Sequence, residues 1–209
     1  MRTLLLLTLL FSFVSVASAG TIYQVTVDTT TISGTAGSLD FQFNPGPLVS
    51  QAASLYIFSF ASNGTLVAGA CLAGGPCLTG NVTGTLPGTV TFDNGTGFND
   101  YFQGFTFASN LIFSVKLYGP AVDSPDGTST SGSTFAFSMF SDAAGTVPVL
   151  TSDLTNGFAA TIEVNLDGTT TVSNFSAQTN ISAEPSSVVL IGTAALALVL
   201  LRLKRPRFT

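Results

Sequence analysis

A two-residue alternation of apolar and polar side chains recurs through residues 20–178, in short runs separated by turn-forming residues. Tyr23, Val25 and Val27 alternate with Gln24, Thr26 and Asp28, and Leu39, Phe41 and Phe43 alternate with Asp40, Gln42 and Asn44. Successive side chains of a strand point to opposite faces, so this period predicts half-buried strands. The same pattern marks Val90 and Phe92, then Leu111, Phe113, Val115 and Leu117, then Phe135, Phe137 and Met139, and then Ile162, Val164 and Leu166. Residues 55–60 are apolar on both faces, which predicts a central strand, and Val172 belongs to a last one. Asn63-Gly64, Pro87-Gly88, Asn94-Gly95, Asp126-Gly127, Asn156-Gly157 and Asp167-Gly168 supply the turns. No segment of this body carries a helical period with caps. About nine or ten short strands predict an all-β fold, a single antiparallel β-sandwich, jelly-roll-like or Ig-like. The chain's 18 Phe would fill the space between the sheets.

The two ends read as addresses. Arg2, an apolar stretch over residues 4–16 and the small residues Ala17 and Ala19 form a secretory signal over residues 1–19, with signal peptidase cutting before Gly20. Residues 188–201 form a second apolar run, shorter than the roughly 20 residues that span a bilayer comfortably. Pro185 suits the first turn of a helix there. Arg202, Lys204, Arg205 and Arg207 follow, and such a cluster stays cytoplasmic. The expected organisation is therefore a signal peptide over 1–19, a sandwich body over 20–178, and a linker with a sorting motif over 179–187. A transmembrane helix over 188–201 and a basic cytoplasmic tail over 202–209 complete it. The body would be exported and anchored in the inner membrane, facing the periplasm.

Charge narrows the function classes. Lys116 is the only basic residue between residues 20 and 184, against all 11 acids, so the body carries a net charge of −10. Nucleic acid is excluded as a partner, because phosphate neutralisation needs a basic surface. The chain has no His, which removes Ser-His-Asp and Cys-His nucleophiles. The two cysteines, Cys71 and Cys77, both fall in the exported body, where an oxidising compartment favours a disulfide between them.

No pair of acids is singled out for glycoside hydrolysis, and no enzyme is expected. Calcium is the one possible cofactor. Asp93 and Asp100 bracket a glycine- and asparagine-rich segment of oxygen donors, and Asp123 with Asp126 forms a weaker second set. The same residues are ordinary in hairpin turns. Asp40, Gln42 and Asn44 form either a polar strip for carbohydrate or a strand face with local hydrogen bonds. The threonine rows at residues 29–31 and 169–171 lack the fixed period that ice binding needs. Asn63, Asn81 and Asn94 head incidental N-glycosylation sequons.

Ala183, Glu184, Pro185 and Ser186, a short Gly/Ala/Leu helix and the terminal basic cluster together resemble the PEP-CTERM sorting signal of Gram-negative bacteria that make exopolysaccharide. Ala183 stands where that family usually begins with Pro. The body is similar to one group of the same family. It carries the strand Leu39-Asp40-Phe41-Gln42-Phe43-Asn44-Pro45-Gly46, a Gly-rich segment ending at Leu86-Pro87, and an Asn-Asp-Tyr-Phe-Gln block over residues 99–103. The resemblance implies processing by exosortase, a membrane-embedded cysteine transpeptidase, and transfer to the cell surface or extracellular matrix. A structural or interaction role in exopolysaccharide or biofilm follows, with a carbohydrate-binding module, with or without calcium, as the alternative. A secreted hydrolase or an ice-binding protein stands further behind.

Overall fold

The computed structural model describes residues 21–67 and 76–184. Its strands run β1 (Ile22–Asp28), β2 (Ala36–Pro45), β3 (Ser54–Ser62), β4 (Thr65–Val67), β5 (Cys77–Thr79), β6 (Val82–Gly84) and β7 (Val90–Asp93). They continue with β8 (Asp100–Thr106), β9 (Asn110–Tyr118), a single helical turn α1 (Pro120–Asp123), β10 (Ser133–Phe140), β11 (Phe158–Val164), β12 (Thr170–Asn174) and β13 (Thr179–Ala183). Two antiparallel sheets result, with the orders β13-β1-β9-β3-β7-β6 and β12-β11-β10-β2-β8-β4. Strand β5 follows β4 along the same edge of β8. The all-β, sandwich-like architecture expected from the alternation is present.

The alternating apolar residues meet between the sheets. Phe113 of β9 projects from the first sheet against Phe41 and Phe137 of the second, with ring centroids 5.2 and 5.0 Å away, and those two rings are themselves 5.1 Å apart. All three are fully buried, as are Leu39, Phe43, Leu55, Ile57, Phe92 and Phe135. Burying such a side chain contributes about 1.5–3 kcal/mol relative to exposure, so this aromatic layer is the main cohesive element.

Three features depart from the alternation. Residues 179–183, expected to open the linker, instead form β13, which pairs with β1 from Tyr23 opposite Ala183 to Val27 opposite Thr179. The body therefore runs on to Glu184, whose N–H donates to the Ile22 carbonyl at 2.8 Å. Leu166, assigned to a buried face with Ile162 and Val164, is 50% exposed because β11 ends at Val164 and the turn to β12 follows. In β3, the pairing with β9 shifts between Phe58 and Ala61, with Ser59 at φ 54°. That bulge reverses the parity of the strand and packs Phe60 against the core, edge-on to Phe105 at 6.3 Å.

Val67 pairs with Gly104 of β8, and Cys77 with Phe102, two residues along the same strand. Cys71 lies outside the described residues, as do Ala17, Ala19, Gly20, Pro185, Ser186, Arg202, Lys204, Arg205 and Arg207. No helix among the described residues is long and apolar enough to cross a membrane, and the run 188–201 is not among them.

Candidate functional site

Strand β2 presents Asp40, Gln42 and Asn44 on the face of the second sheet that points away from the core. Gln42 Nε2 donates to Asp40 Oδ2 at 2.8 Å, and Asn44 Nδ2 donates to Gln42 Oε1 at 3.2 Å. Asn44 Oδ1 in turn accepts from the Asn99 N–H at 2.7 Å. The expected strip is thus a continuous ladder of amides leading to a carboxyl.

Asp40 is 8% exposed although it lies on the outer face. Its pairing partners are Phe102 on β8 and Ser138 on β10, and the turn at Gly145 lies against the rings of Phe102 and Phe140. Asp100, opposite Gln42, is hydrogen-bonded to Asp40. Burial and the neighbouring Asp40 carboxylate push the Asp100 carboxyl up to about 9. Burial also raises Asp40, against the opposing hydrogen bonds from Asp100 and Gln42. Two carboxylates in contact cannot both be charged cheaply, so one proton stays on Asp100 and bonds the pair. Without that proton Asp40 Oδ1 and Asp100 Oδ1 have no hydrogen-bond partner. Contact distance is also too short for a glycosidase pair, which needs about 5–5.5 Å for retention and about 6.5–9.5 Å for inversion.

Next to the ladder an open groove of about 600 Å³ runs across β2, β10, β11 and β12. Gln42, Asn44, Thr134, Glu163 and Ser173 line its floor, while Phe158, Phe175, Asp153 and Asn156 line the remainder. The β10–β11 loop is held over this sheet by Ser152, whose N–H donates to the Phe175 carbonyl at 2.7 Å. Asp153 shapes the loop by accepting from the Asn156 N–H at 3.1 Å and side-chain amide at 3.1 Å, which lowers its pKa. The groove combines amide and hydroxyl hydrogen-bonding groups, two acidic side chains and two partly buried rings.

The calcium candidates have other partners. Asp93 Oδ1 accepts from Asn81 Nδ2 at 2.7 Å and from the Gly95 N–H at 2.8 Å, while Asp100 faces Asp40. Asp126 closes its own turn by accepting from the Thr128 and Ser129 N–H groups at 2.8 and 2.9 Å, which lowers its pKa to about 2. No cluster of three or more metal-ligating His, Cys, Asp or Glu side chains occurs among the described residues. Asn94, read as a sequon, joins the sheets instead: its Nδ2 donates to the Gln51 carbonyl and Ser133 Oγ, both at 2.8 Å. Thr30 sits in a turn after β1 and Thr170 in β12, so the threonine rows are separate features.

Sequence reasoning did not place Phe158, Phe175 or Glu163 at a site, and it read Asn156 only as a turn residue. Glu163 alone carried a signal, as the outward residue between Ile162 and Val164. The others depend on where the β10–β11 loop folds. Known protein families, curated proteins and solved structures contain no match to this chain.

Proposed function

We propose that this chain is an exported surface or extracellular-matrix protein, delivered by a PEP-CTERM-type tail and acting through a non-enzymatic sandwich in exopolysaccharide or biofilm. The observation that carries this reading is the arrangement of the body's ends. Ile22 and Glu184 are hydrogen-bonded neighbours, so a leader and a tether would leave the sandwich side by side. The chain's repeated passage between sheets favours a jelly-roll-like description over an Ig-like one. Signal peptidase would release residues 1–19, residues 188–201 would hold the inner membrane, and exosortase would act near Glu184 and Pro185. Because β13 ends at Ala183, cleavage just beyond it would leave the sandwich intact. A disulfide would join Cys71 to Cys77, the first residue of β5. The test is mass spectrometry of the extracellular protein's C-terminal peptide. We expect a terminus near Glu184 with the apolar run missing. Protein found only in the inner membrane and still ending at Thr209 would defeat the sorting reading.

A second reading, carbohydrate binding, is favoured by the groove. Its amides and hydroxyls match sugar hydroxyls, and Phe158 and Phe175 offer apolar surface to a sugar ring. With Glu163 and Asp153 lining it, the site suits neutral glycans, or acidic ones bridged by calcium. Glu163→Ala combined with Ser173→Ala removes two groove groups that hold no other hydrogen bond among the described residues. Affinity for a bound neutral glycan is expected to fall about tenfold, as for loss of one or two good hydrogen bonds. Unchanged affinity on a glycan array would remove the groove from consideration.

A further inference from the structure

The first sheet has its own outward chemistry, on the opposite side of the molecule from the groove. Tyr56 and Phe58 of β3 and Tyr118 of β9 point away from the core, where Tyr56 pairs with Thr91 and Lys116, Phe58 with Ser114 and Tyr118 with Ser54. Tyr56 lies 5.4 Å from Phe58 and 5.3 Å from Tyr118 between ring centroids, so the three rings form one continuous row. The bulge at Ser59 ends the row by turning Phe60 inward. Lys116 pairs with Tyr56 across the strands and holds its Nζ 5.7 Å from that ring's centroid. It is the only cation between residues 20 and 184, and it forms no ion pair with another described residue.

Three carboxylates flank this row: Asp93, opposite Ser54, is held by Asn81 and Gly95, Glu184 accepts from Ser114 Oγ at 3.5 Å beside Phe58, and Asp123 accepts from the Gly119 N–H after Tyr118. At physiological salt the screening length is about 8 Å, so the more distant acids of the body are screened, and at the Tyr56 ring itself the nearest charge is the Lys116 ammonium. Aromatic rings at a solvent boundary offer apolar faces to the C–H side of a sugar, with the tyrosine hydroxyls left to hydrogen-bond. An ammonium beside them complements a carboxylate.

We infer that the outward face of this sheet binds a strand of acidic polysaccharide, with sugar rings against Tyr56, Tyr118 and Phe58 and a uronate carboxylate on Lys116. This site is separate from the groove, whose acidic lining disfavours the same ligand. A chain carrying both would bridge two kinds of polysaccharide strand, which is a means of cross-linking a matrix.

Cross-strand aromatic pairs also stabilise sheets, so the test must separate binding from folding. The chain has no Trp, so its emission comes from four Tyr, of which Tyr23 and Tyr101 are buried in the core. The full-length protein in mild detergent and EDTA is titrated with polygalacturonate oligomers while tyrosine fluorescence is read. A saturable change that weakens with added salt is expected, and dextran is expected to bind more weakly. Lys116→Gln, which leaves the rings in place, should weaken polygalacturonate binding about tenfold or more, as for loss of a charge-assisted hydrogen bond, without changing the melting temperature. Tyr56→Thr keeps strand propensity and should weaken both ligands. Absence of saturable binding by the unsubstituted protein would overturn the assignment. So would Lys116→Gln and Tyr56→Thr proteins that bind as it does, or dextran bound as tightly as polygalacturonate.

Discussion

Asn99→Ala is expected to destabilise the sandwich by about 3–5 kcal/mol, because the buried Phe43 carbonyl and two part-buried backbone groups lose their partner and each such loss costs about 1–3 kcal/mol. Asn99 is completely buried. Its Nδ2 donates to the Phe43 carbonyl at 2.9 Å and to the Thr96 carbonyl at 3.0 Å, and its Oδ1 accepts from the Asn81 N–H at 2.8 Å and from the Thr96 hydroxyl. One side chain thus ties the end of β2, the β5–β6 turn and the β7–β8 loop together. The junction is tight: at Gly80, with φ +71°, a Cβ would meet the Phe98 carbonyl oxygen at 2.1 Å. Thermal unfolding should show a melting temperature lower by about 6–20 °C, at about 2–4 °C per kcal/mol for a body of this size. Asn99→Asp keeps the acceptor and loses the donors, so it should fall between the two. A melting temperature for Asn99→Ala within about 2 °C of the unsubstituted protein would show that this hub does not hold the loops.

Asn99 also shows where sequence reasoning stops. The segment from Asp93 to Asp100 reads as oxygen donors around glycines, which fits a cation loop and a set of turns equally well. Which one it is depends on β2 arriving beside it, and that pairing is long-range. The strands themselves were legible because the period of Leu39, Phe41 and Phe43, or of Phe135, Phe137 and Met139, is a local property. β13 was not, since Thr179 and Ile181 give only two apolar-facing positions and its stability comes from pairing with β1. The short strands β4, β5 and β6, at three residues each, are likewise too brief to show a period. The polar strip on β2 was visible, and its local hydrogen bonds are present: Asp40 is buried among them, while Gln42 and Asn44 also line the groove. Lys116 stood out by count, whereas its place among Tyr56, Phe58 and Tyr118 follows from the register of β3 against β9.

The proton shared by Asp40 and Asp100 gives the second large effect, on the pH dependence of stability. Asp100 is raised from the ordinary carboxylate range to about 9 in the folded protein, so between roughly pH 4 and 9 the folded state holds a proton that the unfolded chain releases. Stability from this group is fully present below about pH 4 and is lost as pH rises toward 9. The turn aspartates act with the opposite sign. Asp28, Asp126, Asp142, Asp153 and Asp167 are all lowered by hydrogen bonds from their own turns, so they favour folding above the ordinary carboxylate value and lose that contribution as pH falls through their folded values. Together they place maximum stability on the acid side, at about pH 4–5, with a long decline toward alkali. Asp100→Asn removes the ionisation and still donates a hydrogen bond to Asp40. A full proton difference is about 1.4 kcal/mol per pH unit, but Asp100 is partly exposed and solvent screening reduces it. We therefore expect Asp100→Asn to gain about 1–2 kcal/mol at pH 8, or about 2–8 °C in melting temperature, and nothing at pH 4. Asp40→Asn should make the same alkaline limb shallower without removing it, since burial, the larger cause of the rise, stays and only the contribution of the Asp40 carboxylate is lost. Melting curves from pH 4 to 9 decide the matter. An Asp100→Asn profile parallel to that of the unsubstituted protein would mean that the two carboxyls do not share a proton.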